Sequence, residues 1–182
     1  SPLNIFAKTH TYFDYRLKYS PDYKLLAIIY DTSGNESYQC TFFNCLNGKK
    51  AGFIPSMTSS YEWSTDNKSF IYVTTDSIDL RWNKIRVHEI GEKKEYDQIL
   101  YVEPNVNCNV FVTKDESNTL LLINSESRTG TSQQFLLANK PYEKLKTIQG
   151  FTNNVTFSVQ PYGNFVYVLT NYKADNFKIL KT

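Results

Sequence analysis

The chain has 182 residues, of which 41% are hydrophobic and 15% aromatic, so it can bury a sizeable core as one domain. Its formal net charge at pH 7 is only +2, and its lysines are scattered among acidic residues, which argues against a nucleic acid or an anionic membrane as partner. No apolar stretch approaches the roughly 18 residues of a membrane-spanning helix, and no signal peptide opens the sequence, so we expect a soluble protein.

A unit made of a short strand, a polar turn and an apolar run recurs about every 45 residues. Its turns are centred on Asp22, Asp66, Asp115 and Tyr162. A period of this size built from short strands is typical of β-propeller blades, which cannot bury their faces alone. The sequence therefore predicts an all-β fold, a partial β-propeller of three to four antiparallel blades with four strands each.

The predicted blades follow one another along the chain as a single domain. They cover residues 15–54, 61–102, 109–149 and 155–182, and the last is incomplete after its third strand. In the first blade the strands are predicted at 15–20, 25–30, 38–45 and 51–54, with a hairpin turn at Asn47-Gly48. Because the chain starts at Ser1 and the repeat still runs at Thr182, we expect it to be a piece of a longer protein.

The second strand of every unit is apolar without alternation. These strands read LLAIIY, SFIYV, TLLLI and FVYVL. A continuous apolar run predicts burial on both faces, as in a strand that lies between two neighbouring sheets. An antiparallel sandwich would also explain short strands but not four aligned turns, and a parallel α/β fold lacks its helical segments here.

Strand direction predicts which loops share a face of the propeller. Because the four strands alternate in direction, the loops between second and third strands lie on the same face as the links between blades. The predicted loops are 32–37, 77–83, 125–132 and 173–176, and the links are 55–60, 103–108 and 150–154. The opposite face carries the Asp-containing turns, which are structural features first, since Asp and Asn bond their own backbone.

No catalytic, metal or cofactor site is predicted within the chain. The G-x-S-x-G nucleophile motif is absent, because Gly48 and Gly52 have Lys50 between them. His10 and His88 have neither the spacing of metal ligands nor an evident acidic and nucleophilic partner, and His88 lies on a predicted strand, where a structural role is favoured.

The three cysteines indicate reduced thiols in a cytoplasmic protein. Cys40, Cys45 and Cys108 are an odd number in a chain too large to need disulfides. Cys40 and Cys45 lie on one predicted strand at an odd spacing, so their side chains point to opposite faces and neither pair nor share a metal easily.

One predicted loop combines an aromatic residue with a cation. Trp82 follows Arg81 in the loop predicted at 77–83, which makes the pair a candidate for binding, with a packing role for Trp82 as an equal alternative.

Several segments together resemble the propeller of the prolyl oligopeptidase family of serine peptidases, and within it the oligopeptidase B subfamily. They are DTSGNESYQ from Asp31, the following FNCLNGK, FDYRLKYSPDYKLLA, YEWSTDNKSFIYV, LRWNKIRVHEIG, ILYVE, SESRTGTSQ and the final Asn176-Phe177. They occur in the right order and cover nearly the whole chain.

The resemblance implies a seven-bladed propeller that caps a separate α/β-hydrolase domain, which carries the catalytic Ser, Asp and His outside this chain. It implies that the propeller admits only short peptides and lends loop side chains to the substrate or domain interface. The matching positions are Asn35, Glu36, Thr58, Arg81, Trp82, Arg128 and Asn176. Asn35 and Glu36 stand where an oligopeptidase B loop often has Arg.

The favoured function is therefore a non-catalytic propeller that gates the access of short peptides to its own hydrolase domain. The alternatives are a protein-interaction scaffold and a prolyl-endopeptidase-like pseudoenzyme. Because half a propeller leaves two blade faces without neighbours, we also expect this chain to self-associate through them.

Overall fold

The computed structural model describes residues 12–76, 78, 80–163 and 165–181, and it folds them into fifteen β-strands. The strands are β1 (Asp14–Tyr19), β2 (Leu25–Asp31), β3 (Tyr38–Asn44), β4 (Lys50–Met57), β5 (Tyr61–Trp63), β6 (Ser69–Thr75), β7 (Trp82–Glu89), β8 (Gln98–Val102), β9 (Asn109–Lys114), β10 (Leu120–Glu126), β11 (Thr131–Leu137), β12 (Lys146–Gln149), β13 (Phe157–Tyr162), β14 (Phe165–Thr170) and β15 (Lys178–Lys181). A short 3₁₀ helix, Lys94–Tyr96, precedes β8. Across the described ranges, the structure has no helix that is long and apolar enough to cross a membrane.

The strands form four antiparallel sheets, each a blade in simple chain order. Blade 1 is β1-β2-β3-β4, blade 2 is β5-β6-β7-β8, blade 3 is β9-β10-β11-β12, and blade 4 is β13-β14-β15. This arrangement confirms the predicted all-β propeller fold. In blade 1, β4 continues three residues past its predicted end, to Met57, and the other strand bounds differ from the predicted ones by at most one residue. Because β3 ends at Asn44, Cys45 lies in the turn that follows.

Burial of both faces of the second strands is confirmed in blade 2. Phe70 and Tyr72 of β6 belong to the core shared with blade 1, whereas Ile71 and Val73 belong to the core shared with blade 3. Alternate residues of a strand point to opposite faces, so a strand with a blade on either side has no face for water. The unbroken apolar run therefore follows from the position of the strand between two blades.

Aromatic rings fill the core between blades 1 and 2. Phe42 of β3 meets Trp63 and Phe70 edge to face, with ring centroids 5.5 and 5.0 Å apart. The Trp63 indole Nε1 also donates a hydrogen bond to the Lys18 carbonyl oxygen at 3.1 Å, which ties the first strands of the two blades together. Trp63 is thus a core residue.

The Asp turns bond their own backbone, as predicted. The Asp66 carboxylate accepts hydrogen bonds from the backbone N–H groups of Lys68 and Ser69, at 2.8 and 2.9 Å. The Asp115 carboxylate likewise accepts from the N–H of Leu120 at 2.6 Å. These bonds hold the first and second strands of a blade in register, so the turns serve the fold.

His88 sits in a buried polar cluster between blades 1 and 2. Its Nδ1 lies 2.7 Å from Asp97 Oδ1, and the Tyr72 hydroxyl donates to Asp97 Oδ2 at 2.6 Å. The imidazole stacks on Phe42, and its Nε2 is buried without a hydrogen-bond partner within the described residues. The expectation that His88 has no acidic partner was wrong, whereas its structural role fits this burial. His10 lies outside the described residues.

All three cysteines are free thiols, two of them buried and Cys45 exposed. Burial raises the pKa of Cys40 well above its usual value. A buried thiol of raised pKa is poorly reactive.

The third interface, between blades 3 and 4, is less tightly packed than the first two. It holds an apolar cavity of about 820 Å³. The cavity is lined by Leu120, Phe135, Ile148, Gln149, Thr152, Val155, Phe157, Val159, Pro161, Val166, Val168, Thr170, Tyr172 and Leu180.

The outward faces of the first and last blades expose apolar side chains. On β1, Tyr15, Leu17 and Tyr19 are 47%, 44% and 50% exposed, and on blade 4, Leu169 and Ile179 are 45% and 70% exposed. Inside the chain the corresponding faces are covered by a neighbouring blade.

Candidate functional site

The loops between second and third strands meet the links between blades on one side of the molecule, which we call the link face. It consists of the described residues of loops 32–37, 76–81, 127–130 and 171–177 and of links 58–60, 103–108 and 150–156. Backbone hydrogen bonds join loops to links in blades 3 and 4, from Asn171 N–H to the Thr156 carbonyl at 3.3 Å and from Asn154 N–H to the Thr129 carbonyl. In blades 3 and 4 the link face is thus a connected surface.

Asp31, the last residue of β2, organises the loop that carries Asn35 and Glu36. Its buried carboxylate accepts hydrogen bonds from the N–H groups of Ser33, Gly34 and Glu36 at 2.8, 3.1 and 2.9 Å. Both candidate residues are exposed, and Asn35 Oδ1 accepts from the Ser37 N–H at 3.0 Å. The loop therefore presents Asn35 and Glu36 to solvent on a fixed backbone.

We expect loop 32–37 to loosen in acid. Burial acts to raise the pKa of Asp31, but the hydrogen bonds from Ser33, Glu36 and Gly34 outweigh it and hold the pKa below the usual value. A carboxyl whose pKa is lower in the folded than in the unfolded state stabilises the fold above its unfolded pKa, about 3.9, and loses that contribution as the pH falls through the folded value. Amide chemical shifts of Ser33 and Glu36, followed by NMR from pH 6 downwards, should move together below about pH 4. The same shifts in Asp31→Asn should show no such step; a step in both would assign the change to another group.

Arg81 is hydrogen-bonded to the link between blades 2 and 3. Its Nη1 donates to the carbonyl oxygens of Asn105, Cys108 and Glu103, at 2.9, 3.1 and 3.4 Å. A guanidinium with a fixed fork of donors can gather several carbonyls at once. Arg81 therefore shapes link 103–108.

Trp82 was expected in a loop, but it is the first residue of β7 and is half-buried. Its ring packs edge to face on Phe111 of blade 3, with centroids 5.4 Å apart, and its backbone N–H donates to Asn109 Oδ1 at 3.1 Å. Trp82 was predicted either to bind a partner or to pack, and these contacts favour packing between blades.

The other three candidates do not form one cluster with these residues. Thr58 is buried in the first link, where its N–H donates to the Val73 carbonyl at 2.8 Å. Arg128 lies exposed in loop 127–130, and Asn176 lies exposed in the loop of blade 4. The structure thus places all seven candidates on or beside the link face, spread over the four blades.

Two features of the link face were not predicted. The Glu103 carboxylate is buried and accepts from the Tyr101 hydroxyl at 2.9 Å, from the Asn105 N–H at 2.7 Å and from the Ser125 hydroxyl. Gly130 packs so tightly that a Cβ there would overlap the Thr152 carbonyl oxygen. A glycine between two threonines, in a segment rich in turn residues, was the only available signal for this contact.

The candidate residues exposed on this surface are Asn35, Glu36, Arg128 and Asn176, which carry two amides, a carboxylate and a guanidinium. The one described histidine, His88, is buried elsewhere beside Asp97. No group of three or more His, Cys, Asp or Glu side chains that could hold a metal ion occurs among the described residues.

Comparison with known proteins places this fold in a family. A family model described as the N-terminal β-propeller domain of prolyl oligopeptidase matches residues 3–182. The solved structure of oligopeptidase B from Leishmania major is 28% identical to the chain, with a TM-score of 0.91, and the match covers 99% of this chain and 26% of that one.

Curated relatives agree with this match. Protease 2 from Moraxella lacunata is 22% identical over 163 residues, which are 88% of this chain and 24% of the relative. A prolyl endopeptidase-like protein from Gallus gallus is 25% identical over 175 residues, which are 91% of this chain and 22% of the relative. The chain spans about a quarter of the length of these relatives. With four propeller blades in chain order and a family match over residues 3–182, the chain belongs to the N-terminal β-propeller domains of the prolyl oligopeptidase family.

Proposed function

We propose that this chain is part of the propeller of an oligopeptidase B-like serine peptidase, and that it controls the access of short peptides to a catalytic domain carried by the rest of the protein. The observation that carries the proposal is the likeness to oligopeptidase B along 99% of the chain, at 28% identity. In this proposal the chain itself supplies no catalytic group. Its role is to position short peptides and to exclude folded proteins.

The link face is the part of the chain that we assign to this role. Asp31 and Arg81 hold its loops and links through several hydrogen bonds each, so a peptide or a neighbouring domain would meet a preformed surface. Asn35, Glu36, Arg128 and Asn176 are exposed on it and are the side chains we propose to contact a peptide or the catalytic domain. We place the protein in the cytoplasm, where an exposed free thiol such as Cys45 stays reduced.

Labelling with a fluorophosphonate, which reacts with activated serines, tests the proposal. The full-length protein should be labelled and should hydrolyse short peptides, whereas the 182-residue chain should not be labelled. A well-folded full-length protein that takes no label would instead support the second candidate, a non-catalytic relative that binds proteins. The 25% identity to a prolyl endopeptidase-like protein is the observation that keeps this candidate open.

We further propose that the outward faces of blades 1 and 4 are covered by other blades in the whole protein, and that the isolated chain self-associates through them. Tyr15, Leu17 and Ile179 lie on these faces with 47%, 44% and 70% of their surface exposed. Light scattering should show a mass that rises with concentration, and the double variant Leu17→Lys, Ile179→Lys should lower it. A chain that stays monomeric at high concentration would contradict this.

A further inference from the structure

A polar groove of about 470 Å³ lies where blade 2 meets the last strand of blade 1. Its described lining contains three cations, one carboxylate and three hydroxyl side chains, and no apolar residue. These residues are Lys84, Arg86, Lys94, Glu95, Ser56, Thr74 and Thr75. None of these residues is among the link-face side chains assigned above.

Two structural elements bring the cations together. Lys84 and Arg86 are two residues apart on β7, so they point to the same face of blade 2. The antiparallel register sets Thr74 of β6 directly opposite Lys84. Lys94 comes from the 3₁₀ helix that follows β7. The fold thus gathers three like charges around one groove, although like charges repel.

Within the described residues, two of the three groove cations have no ion-pair partner. Lys84 Nζ lies 3.8 Å from Asp76 Oδ2, outside the lining of the groove. Across the described residues, Arg86 and Lys94 make neither an ion pair nor a side-chain hydrogen bond. The nearby buried Asp97 carboxylate bonds Tyr72 and His88, and among the described residues it forms no ion pair with Arg86 or Lys94.

The hydroxyl groups are available as well. Ser56, Thr74 and Thr75 make no side-chain hydrogen bond to another described residue. Arg86 and Lys94 are partly buried rather than fully exposed, so water compensates their charge less well than on an open surface.

We propose that this groove binds a phosphate group. With Glu95 and the Asp76 partner of Lys84 counted, the groove keeps one more positive than negative charge, which attracts an oxyanion. The planar guanidinium of Arg86 can donate two parallel hydrogen bonds to a phosphate, and the hydroxyls can donate to its remaining oxygens. The phosphate can be free or can belong to a phosphorylated side chain of a partner. This site goes beyond the proposed peptide-gating function and does not depend on it.

Calorimetric titration of the chain at low salt tests the proposal with two phosphate-bearing probes, inorganic phosphate and a short phosphoserine peptide. The unphosphorylated form of the same peptide is the control. At least one phosphate-bearing probe should bind saturably, and Arg86→Gln should weaken that binding about tenfold, the effect of losing one charge-assisted contact. Lys94→Gln, in the short 3₁₀ helix, gives a second variant in case Arg86→Gln fails to fold.

The matched control is Lys68→Gln, which removes an exposed lysine of the same blade away from the groove. It should leave the affinity unchanged. Similar affinities for both phosphate-bearing probes would assign the site to free phosphate, and a tighter phosphopeptide would assign it to a phosphorylated partner. The proposal would be overturned if neither phosphate-bearing probe bound saturably. It would also be overturned if the unphosphorylated peptide bound as tightly as the phosphopeptide, or if Lys68→Gln weakened binding as much as Arg86→Gln.

Discussion

Replacing Gly130 by alanine is expected to displace link 150–156 and to destabilise the chain by about 2 kcal/mol. A Cβ at this position would overlap the Thr152 carbonyl oxygen and press on the Phe151 ring, whose Cζ it would approach to 3.2 Å. The obstacle is backbone, which cannot swing aside as a flexible side chain does. The hydrogen bonds that run between this loop and the link, Asn154 N–H to the Thr129 carbonyl and Thr131 N–H to the Val155 carbonyl, should weaken together.

Urea unfolding followed by tryptophan fluorescence measures this effect, and Gly150→Ala is its matched control. Gly150 lies in the same link, and a Cβ there would meet nothing within 4 Å. Both substitutions add one methyl group to a glycine, so their difference isolates the steric contact. Equal urea midpoints for the two variants would show that the link moves aside without a loss of unfolding free energy.

Replacing Asp97 by alanine is expected to cost about 3 kcal/mol of unfolding free energy. The change leaves the Tyr72 hydroxyl and His88 Nδ1 buried without the carboxylate that now bonds both, at 2.6 and 2.7 Å. Among the described residues, His88 Nε2 already has no hydrogen-bond partner. A buried polar group that loses its last partner costs more than the bond itself contributed.

Two comparisons separate this mechanism from a general loss of charge. Asp175→Ala removes an exposed carboxylate and should change the unfolding free energy by less than about 0.5 kcal/mol. Tyr72→Phe removes only one of the two donors and should cost about 1 kcal/mol. An Asp97→Ala variant as stable as Asp175→Ala would mean that water enters the site and satisfies both groups.

Much of the fold could be predicted because the repeat acts through local chemistry. The turns at Asp66 and Asp115 bond their own backbone, and runs such as SFIYV show which strands have a neighbour on both faces. Strand ends were less predictable. β4 runs on to Met57 because that side chain is buried in the core with blade 2, a tertiary contact that local residue types do not reveal.

The candidate site could be predicted as a face but not as a set of contacts. Strand direction alone places Asn35 and Arg128 on one side of the molecule. The bonds from Arg81 to the link, the Glu103 cluster and the contact of Gly130 with Thr152 join segments more than 20 residues apart. Trp82 was misplaced because an aromatic residue beside a cation suits a binding loop as well as a strand start, and only Phe111 of the next blade decides between them.

Blade 4 is packed less tightly against its neighbour than blades 1 to 3 are against one another. Blades 1, 2 and 3 share cores in which β6 contributes to both sides, so none of them can separate without exposing its neighbours. Blade 4 faces blade 3 across a cavity of about 820 Å³ and has less apolar contact to lose. Blades 1 to 3 therefore form one cooperative unit, and blade 4 is the part of this chain that opens and recloses first, with loop 171–177 of the link face moving with it.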